Sequence, residues 1–221
     1  MQKEKSKWIG LYAKYIQAEY KSWDEYFTIK MKLKKRFLNL IIKHSTPNKP
    51  VLECGAGTGK FSVYLASLGF NTYAIDLEHE MVEHAKQLSE LVCHQNPVKV
   101  FQGNISSIPF HDKFFAVSHS SGVLEHFSDS KIVELINEQL RVADTIVFSV
   151  PSCYFEKKMQ GNERFLTRQE WRNIISNSKA KIVKETGYHY KTLKSRLYDN
   201  IKNPKQIFKP IALFTFVLKE K

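Results

Sequence analysis

A chain of 221 residues, 43% of them hydrophobic, is long enough to bury a core of its own, and it contains no apolar run near the roughly 18 residues that a membrane-spanning helix requires. Its net charge of +12 is unevenly divided: residues 1–50 carry +8, residues 51–150 carry −6 and residues 151–221 carry +10. Two basic flanks either draw an anionic partner, whether nucleic acid, a phosphorylated metabolite or an anionic membrane surface, or simply decorate solvated faces.

The opening MQKEKSKWIG leads into a mixed polar and aromatic pattern with no apolar leader, so the expectation is a protein that stays in the cytoplasm. Trp8, Leu11, Tyr12, Tyr15 and Ile16 recur at the spacing of one helical face, and Trp23 to Ile42 continues it, which predicts helix over most of residues 4–45. Residues 1–50 thus read as an N-terminal helical cap, and residues 51–221 as one compact domain. The prolines of Ser45 to Pro50 end the helical run, and a new element starts at Val51.

From Val51 onward, apolar runs alternate with helical patterns. Strands are predicted at Val51 to Cys54, Thr72 to Ile75, Val98 to Phe101, Phe114 to His119 and Thr145 to Val150, with helices at Lys60 to Leu68, His79 to Cys93 and Asp129 to Val142. Such alternation predicts an α/β fold, a parallel sheet with helices on both faces. A further helix, Thr167 to Ser178, opens with Thr167 and, three residues on, Glu170. Two last strands, Lys181 to Thr186 and Ile211 to Leu218, lack a crossover helix between them and should pair antiparallel. The intervening Gly187 to Lys209 is basic and weakly patterned. The three cysteines, Cys54, Cys93 and Cys153, lie far apart without metal-ligand spacing, and Cys54 reads as a small buried hydrophobe.

The segment with chemical content is Val51-Leu52-Glu53-Cys54-Gly55-Ala56-Gly57-Thr58-Gly59-Lys60-Phe61, a strand that runs through a glycine turn into a helix. Glycine serves where a ligand lies against backbone or where φ must be positive. The dinucleotide fingerprint needs glycine at position 60, which is lysine, so the spacing is that of ExGxGxG instead. Asp76 ends the next strand, 21 positions after Gly55, where a carboxylate can accept from both hydroxyls of a ribose.

These residues resemble motif I and its companion acid in the class I S-adenosylmethionine-dependent methyltransferases, and the resemblance extends over most of Val51 to Ser152. It implies a Rossmann-like, seven-stranded, mostly parallel sheet with an antiparallel C-terminal strand, and S-adenosyl-L-methionine as cofactor. It also implies that Gly55, Ala56 and Gly57 pass beneath the methionine and ribose, that Glu53 lies near the amino group, and that Leu77 and Met81 flank the adenine. Asn104 stands where aspartate is common; its amide oxygen can still accept from the adenine amine, and the Ile105 N–H is the expected partner of a ring nitrogen. Ser120 to Phe127, with Ser121 beside the cofactor, looks like the VLEH segment of methyltransferases that act on small metabolites. His126, then Glu125, are the candidate general bases for an acceptor that must lose a proton, with His119 a weaker one. Relatives that hold a metal through ExxEH have glutamate where this chain has Gly122, so no metal is expected. Tyr15 and Tyr20 are placed to reach the cofactor from the segment before motif I, and Pro151 to Phe165 is placed for substrate contacts. The acceptor is read first as a small metabolite, with RNA or protein methylation, or cofactor binding without catalysis, as the alternatives.

Overall fold

The computed structural model describes residues 31–32, 34–93, 95–153, 155, 162–188 and 212–221. Tyr15, Tyr20 and the other aromatic residues of the predicted first helix, Tyr154, and most of the segment between the last two strands lie outside them. The described elements, in chain order, are α1 (Lys35–His44), β1 (Val51–Cys54), α2 (Lys60–Ser67), β2 (Thr72–Asp76), α3 (His79–Val92), β3 (Lys99–Gln102), β4 (Phe115–Ser121), a single 3-10 turn (Leu124–His126), α4 (Asp129–Val142), β5 (Ala143–Pro151), α5 (Arg168–Ser176), β6 (Ala180–Tyr188) and β7 (Leu213–Glu220).

All seven strands form one sheet in the order β3-β2-β1-β4-β5-β7-β6. The first five are parallel, and β7 runs antiparallel to both neighbours, between β5 and β6. Helices cover both faces, as the alternation predicts. On one face, Phe37, Leu38 and Ile41 of α1 and Phe61 and Leu65 of α2 pack on Val51, Val117, Val147 and Val217. On the other, α4 and α5 contribute Ile132, Leu135, Ile136, Trp171 and Ile174 against Ile146, Phe148, Phe216 and Leu218. Alternate residues of β5 and β7 thus feed two cores, which is why both strands are apolar almost throughout.

Strand order reverses at β1 and β4: β1 is followed by β2 on one side, and β4 by β5 on the other. The carboxyl ends of these two neighbours therefore open a crevice, the place where open α/β sheets bind ligands.

Helix α5 begins as its sequence predicts. Thr167 Oγ1 accepts from the Glu170 N–H, and the Glu170 side chain accepts from the Thr167 N–H at 2.7 Å, a reciprocal capping box. Thr167→Ala is expected to cost about 1 kcal/mol, seen as a fall in midpoint of about 2–4 °C for a chain of this size by thermal unfolding.

Candidate cofactor and acceptor site

At the end of β1 the chain turns through Gly55 (φ +66°), Gly57 (φ +54°) and Gly59 (φ +68°). A side chain at Gly55 would put its Cβ 2.7 Å from Val123 Cγ2, and one at Gly59 would sit 2.8 Å from the Ala85 Cβ. The loop is therefore pressed against the chain that leaves β4 on one side and against α3 on the other. Positive φ adds a second reason for glycine at both positions.

Two carboxylates fix this loop. Asp76 Oδ2 accepts from the Gly57 N–H at 2.8 Å, and its Oδ1 accepts from the Glu78 N–H at 3.0 Å. Glu53 is buried, and its Oε2 accepts from both the N–H and the hydroxyl of Ser62 in the first turn of α2, at 2.9 and 2.7 Å. Burial pushes the Glu53 carboxyl up to about 7, opposed by the Ser62 hydrogen bonds and the Lys60 charge and assisted by Asp76.

Beyond Asp76, Leu77 is 60% exposed beside the glycine loop's companion strand, an unusual position for leucine, while Met81 is buried beneath it in α3. The end of β3 lies next to them: the Gly103 N–H donates to the Asp76 carbonyl, and the Gln102 side chain donates to the Leu77 carbonyl. Asn104 is exposed, and its Oδ1 accepts from the Ser106 N–H at 2.9 Å, a local turn that leaves one lone pair of that oxygen for a ligand. Ile105 is half-buried between two cores. Arg141 holds the rest of this loop, donating to the Ile108 and Phe110 carbonyls and to Asp112 and Glu138. No pattern in the sequence marks Arg141 for this task, because its partners in the loop, Ile108, Phe110 and Asp112, lie about 30 residues away and only Glu138 is local.

At the end of β4, Ser121 accepts at Oγ from Lys34 Nζ at 3.3 Å. Glu125 is buried in the 3-10 turn, its Oε2 has no hydrogen-bond partner, and burial pushes its carboxyl up to about 8 against the opposing backbone amides of Glu125 and Val123 and the charge of Lys34. The unfolded chain releases that proton near 4.5 and the folded chain only near 8, so across this window the native state binds more protons and stability falls as pH rises. Glu125→Gln is accordingly expected to be close to its parent in urea unfolding at the acid end of this window and progressively more stable than it toward pH 8. A difference that does not change with pH would contradict the buried, protonated carboxyl.

His126 Nδ1 lies 2.8 Å from Asn162 Oδ1, while Asn162 Nδ2 donates to the His126 carbonyl at 3.1 Å. The second bond orients the amide, so the first requires Nδ1 to carry the proton and makes Nε2 the basic nitrogen of the neutral ring. Arg164 adds to this attachment: its N–H donates to the Glu125 carbonyl and its guanidinium to the Phe127 carbonyl and to Asp129. Asn162 and Arg164 fall in the segment expected to touch substrate, but nothing in their spacing announces that they bind Glu125 to Asp129. His119, the weaker candidate base, is fully buried with neither ring nitrogen partnered, and burial lowers its pKa to about 3, which removes it as a base near neutrality. Cys54 bonds Ser118 at 3.4 Å and burial pushes its thiol up to about 12, in keeping with a packing role. Among the described residues no group of three or more histidine, cysteine or acidic side chains is arranged to hold a metal ion, and no helix is long and apolar enough to cross a membrane.

The model of the methyltransferase domain family matches residues 51–145, the stretch from β1 into β5. An uncharacterized methyltransferase of Bacillus subtilis, YodH, is 28% identical over 97 residues, 44% of this chain and 40% of that protein. The malonyl-[acyl-carrier protein] O-methyltransferase of Pectobacterium atrosepticum is 28% identical over 99 residues, 45% of this chain and 36% of its own length. The matched stretch thus spans about two fifths of these curated relatives. Among solved structures, the magnesium protoporphyrin IX methyltransferase of Synechocystis, crystallised with bound S-adenosylmethionine, superposes with a TM-score of 0.62 over 89% of this chain and 81% of that one, at 16% identity.

Proposed function

We propose that this chain, whose sheet is that of the class I methyltransferases and whose residues 51–145 are a methyltransferase domain, transfers a methyl group from S-adenosylmethionine to an oxygen or nitrogen of a small metabolite. The observation that carries the reading is the bond between Asp76 and the Gly57 N–H, which fixes the glycine loop to the acid that would hold the cofactor's ribose.

On this reading Gly55, Ala56 and Gly57 lie against the methionine and ribose. Asp76 accepts from the ribose hydroxyls through the lone pairs its two backbone donors leave available. Leu77 and Met81 form the apolar side of the adenine site, with Asn104 Oδ1 and the Ile105 N–H on its polar edge. Ser121 lines the site at the end of β4, and Tyr15 and Tyr20 are the proposed contacts from the N-terminal segment. Glu53 faces the cofactor's ammonium group. S-adenosylmethionine supplies an activated methyl on a sulfonium; the protein aligns the acceptor lone pair with it and excludes water. Where the acceptor must shed a proton, His126 Nε2 takes it; Glu125, the second candidate base, is raised to about 8 and can accept a proton only above neutral pH. The malonyl-[acyl-carrier protein] and magnesium protoporphyrin enzymes support methyl transfer to metabolite-sized groups as the first reading.

Glu53 makes the cofactor assignment testable without an acceptor. A carboxyl that titrates near 7 is about half protonated at pH 7, and an ammonium placed against it drives the proton off. Calorimetry at pH 7 in buffers of different ionisation enthalpy should show net proton release when S-adenosylmethionine binds, with Glu53→Gln abolishing it. No heat of binding in any buffer would refute the cofactor assignment. Labelled cofactor offered to separated small-molecule, RNA and protein fractions tests the acceptor, and label in RNA alone, with affinity falling steeply as salt rises, would favour the basic flanks as a nucleic-acid surface.

A further inference from the structure

We infer, resting on the reading above, that the acceptor is a carboxylic acid, bound as its carboxylate by a row of hydroxyl groups and Lys34 and converted to a methyl ester. The row follows from strand register. Ser121 of β4 pairs with Ser149 of β5, Ser149 with Thr215 of β7, and Thr215 with Thr186 of β6. Directly paired residues share a face of the sheet, so four hydroxyl side chains cross about 14 Å at three strand spacings. They stand where the parallel strands reach their carboxyl ends, on the face covered by α1.

The same face also carries Glu53, His119 and Thr145 among its apolar residues. One pleat toward the strand starts stand Val147 and Val217, packed under Phe37 and Ile41. Thr215 is fully buried and its Oγ1 has no hydrogen-bond partner, and neither has Oε2 of Glu125 nor either nitrogen of His119, which is two residues before Ser121 on the same face and meets Phe37 edge-on at 6.0 Å. Each such group costs roughly 1–3 kcal/mol when left unsatisfied. Among the described residues two further buried polar atoms without partners, on Trp171 and Gln139, belong to the opposite face, so three of the five residues concerned there gather around this row.

The chemistry of these groups selects the ligand. Lys34 only donates, and it reaches Ser121 at 3.3 Å. Glu125 keeps its proton at neutral pH, so it too donates. The hydroxyls can all donate, and His119 carries one N–H. The charged groups facing Glu125 are Lys34 and Glu163, one of each sign, so the selection rests on the donors of the row more than on net charge. A set of donors suits an oxyanion better than a protonated amine, which can only donate. A carboxylate also requires nothing of His126, since its oxygen already carries the attacking lone pair. That oxygen forms the new bond to the methyl carbon while the carbon–sulfur bond breaks, its electron pair returning to sulfur. The negative and positive charges cancel, the products are a methyl ester and S-adenosylhomocysteine, and no proton moves. Cancellation of charge is favoured where water is excluded.

The full chain is incubated with methyl-tritiated S-adenosylmethionine and the small-molecule fraction of a cell extract, and the products are treated with alkali, which releases methanol from esters and nothing from ethers, amines or C-methyl groups. Most of the transferred label is expected to become volatile. Alkali-stable label in small molecules would overturn the carboxylate inference and leave the proposed function standing. Label confined to RNA or protein would overturn the small-molecule reading itself, and no label anywhere despite cofactor binding would overturn both. Thr215→Val separates a ligand role from a structural one: it should raise the acceptor KM about tenfold (1.4 kcal/mol) with cofactor Kd unchanged, while thermal stability holds or rises because an unpartnered hydroxyl is gone. An unchanged KM would remove the row from the acceptor site.

Discussion

Asp76→Ala should weaken S-adenosylmethionine binding by roughly 100-fold or more, the sum of two charge-assisted contacts to the ribose at about 1.5–3 kcal/mol each. The structure adds a second source of loss. Asp76 also accepts from the Gly57 and Glu78 N–H groups, so the alanine variant leaves both donors without their partner and frees the loop from β2. Asp76→Asn separates the two contributions. One amide oxygen can keep the Gly57 bond, but the charge and the second acceptor are lost, and an intermediate loss of about tenfold is expected. Calorimetric titration of the three proteins reads this directly. If Asp76→Ala bound the cofactor within about threefold of the parent, less than one ordinary hydrogen bond, the ribose assignment would be wrong and Asp76 would be a loop anchor alone.

How far these features were legible differs from residue to residue. Strand β1 and helix α4 have the bounds that their apolar patterns predict, because prolines precede the first and Ser128 caps the second, its side chain accepting from the Lys131 N–H. Strand β5 begins at Ala143, two residues earlier than its pattern shows, since helix α4 passes into it at Val142 without glycine or proline to mark the change. Strand β4 runs on to Ser121, two residues past its predicted end, because Ser120 and Ser121 continue the ladder with Phe148 and Ser149 while looking like loop residues in one dimension. The pairing of the last two strands was readable from the missing crossover. The antiparallel C-terminal strand was implied by the family resemblance, but no reading of the sequence placed β7 between β5 and β6.

The site divides in the same way. The glycine spacing and the position of Asp76 are properties of one strand–turn–helix and one strand end, so sequence carries them. What holds the acceptor segment is not local. Asn162 and Arg164 reach back about 35 residues to His126, Phe127 and Asp129, and Lys34 reaches Ser121 across 87. Glu125 and His119 are buried by the tertiary fold, His119 against Phe37 of α1, and their shifted acidities follow from that burial rather than from neighbours in sequence. His119, the residue immediately before the family segment, reads in sequence as a weak base; enclosed as it is, it serves as a neutral polar group.

Gly55→Ala is the substitution expected to cost most in stability, about 3 kcal/mol in urea unfolding, and its parts can be separated. At φ +66° an alanine pays roughly 1–2 kcal/mol in backbone strain, and its Cβ, 2.7 Å from Val123 Cγ2, forces a repacking worth roughly 1–3 kcal/mol more. Gly69 supplies the comparison, for its φ is also positive at +91° but nothing lies within 4 Å of a Cβ placed there. Gly69→Ala should therefore show the backbone cost alone. Adding Val123→Ala to Gly55→Ala removes the collision and should recover about 2 kcal/mol relative to the sum of the single effects. Additive single effects would mean that Val123 moves aside freely and that the two segments are not in firm contact. Coupling would mean something beyond stability, because Val123 is two residues from Glu125 and three from His126. A loop that cannot shift without moving Val123 joins the cofactor's cradle to the acceptor segment, so Gly55→Ala should raise the acceptor KM as well as the cofactor Kd, whereas Asp76→Ala should act mainly on the cofactor.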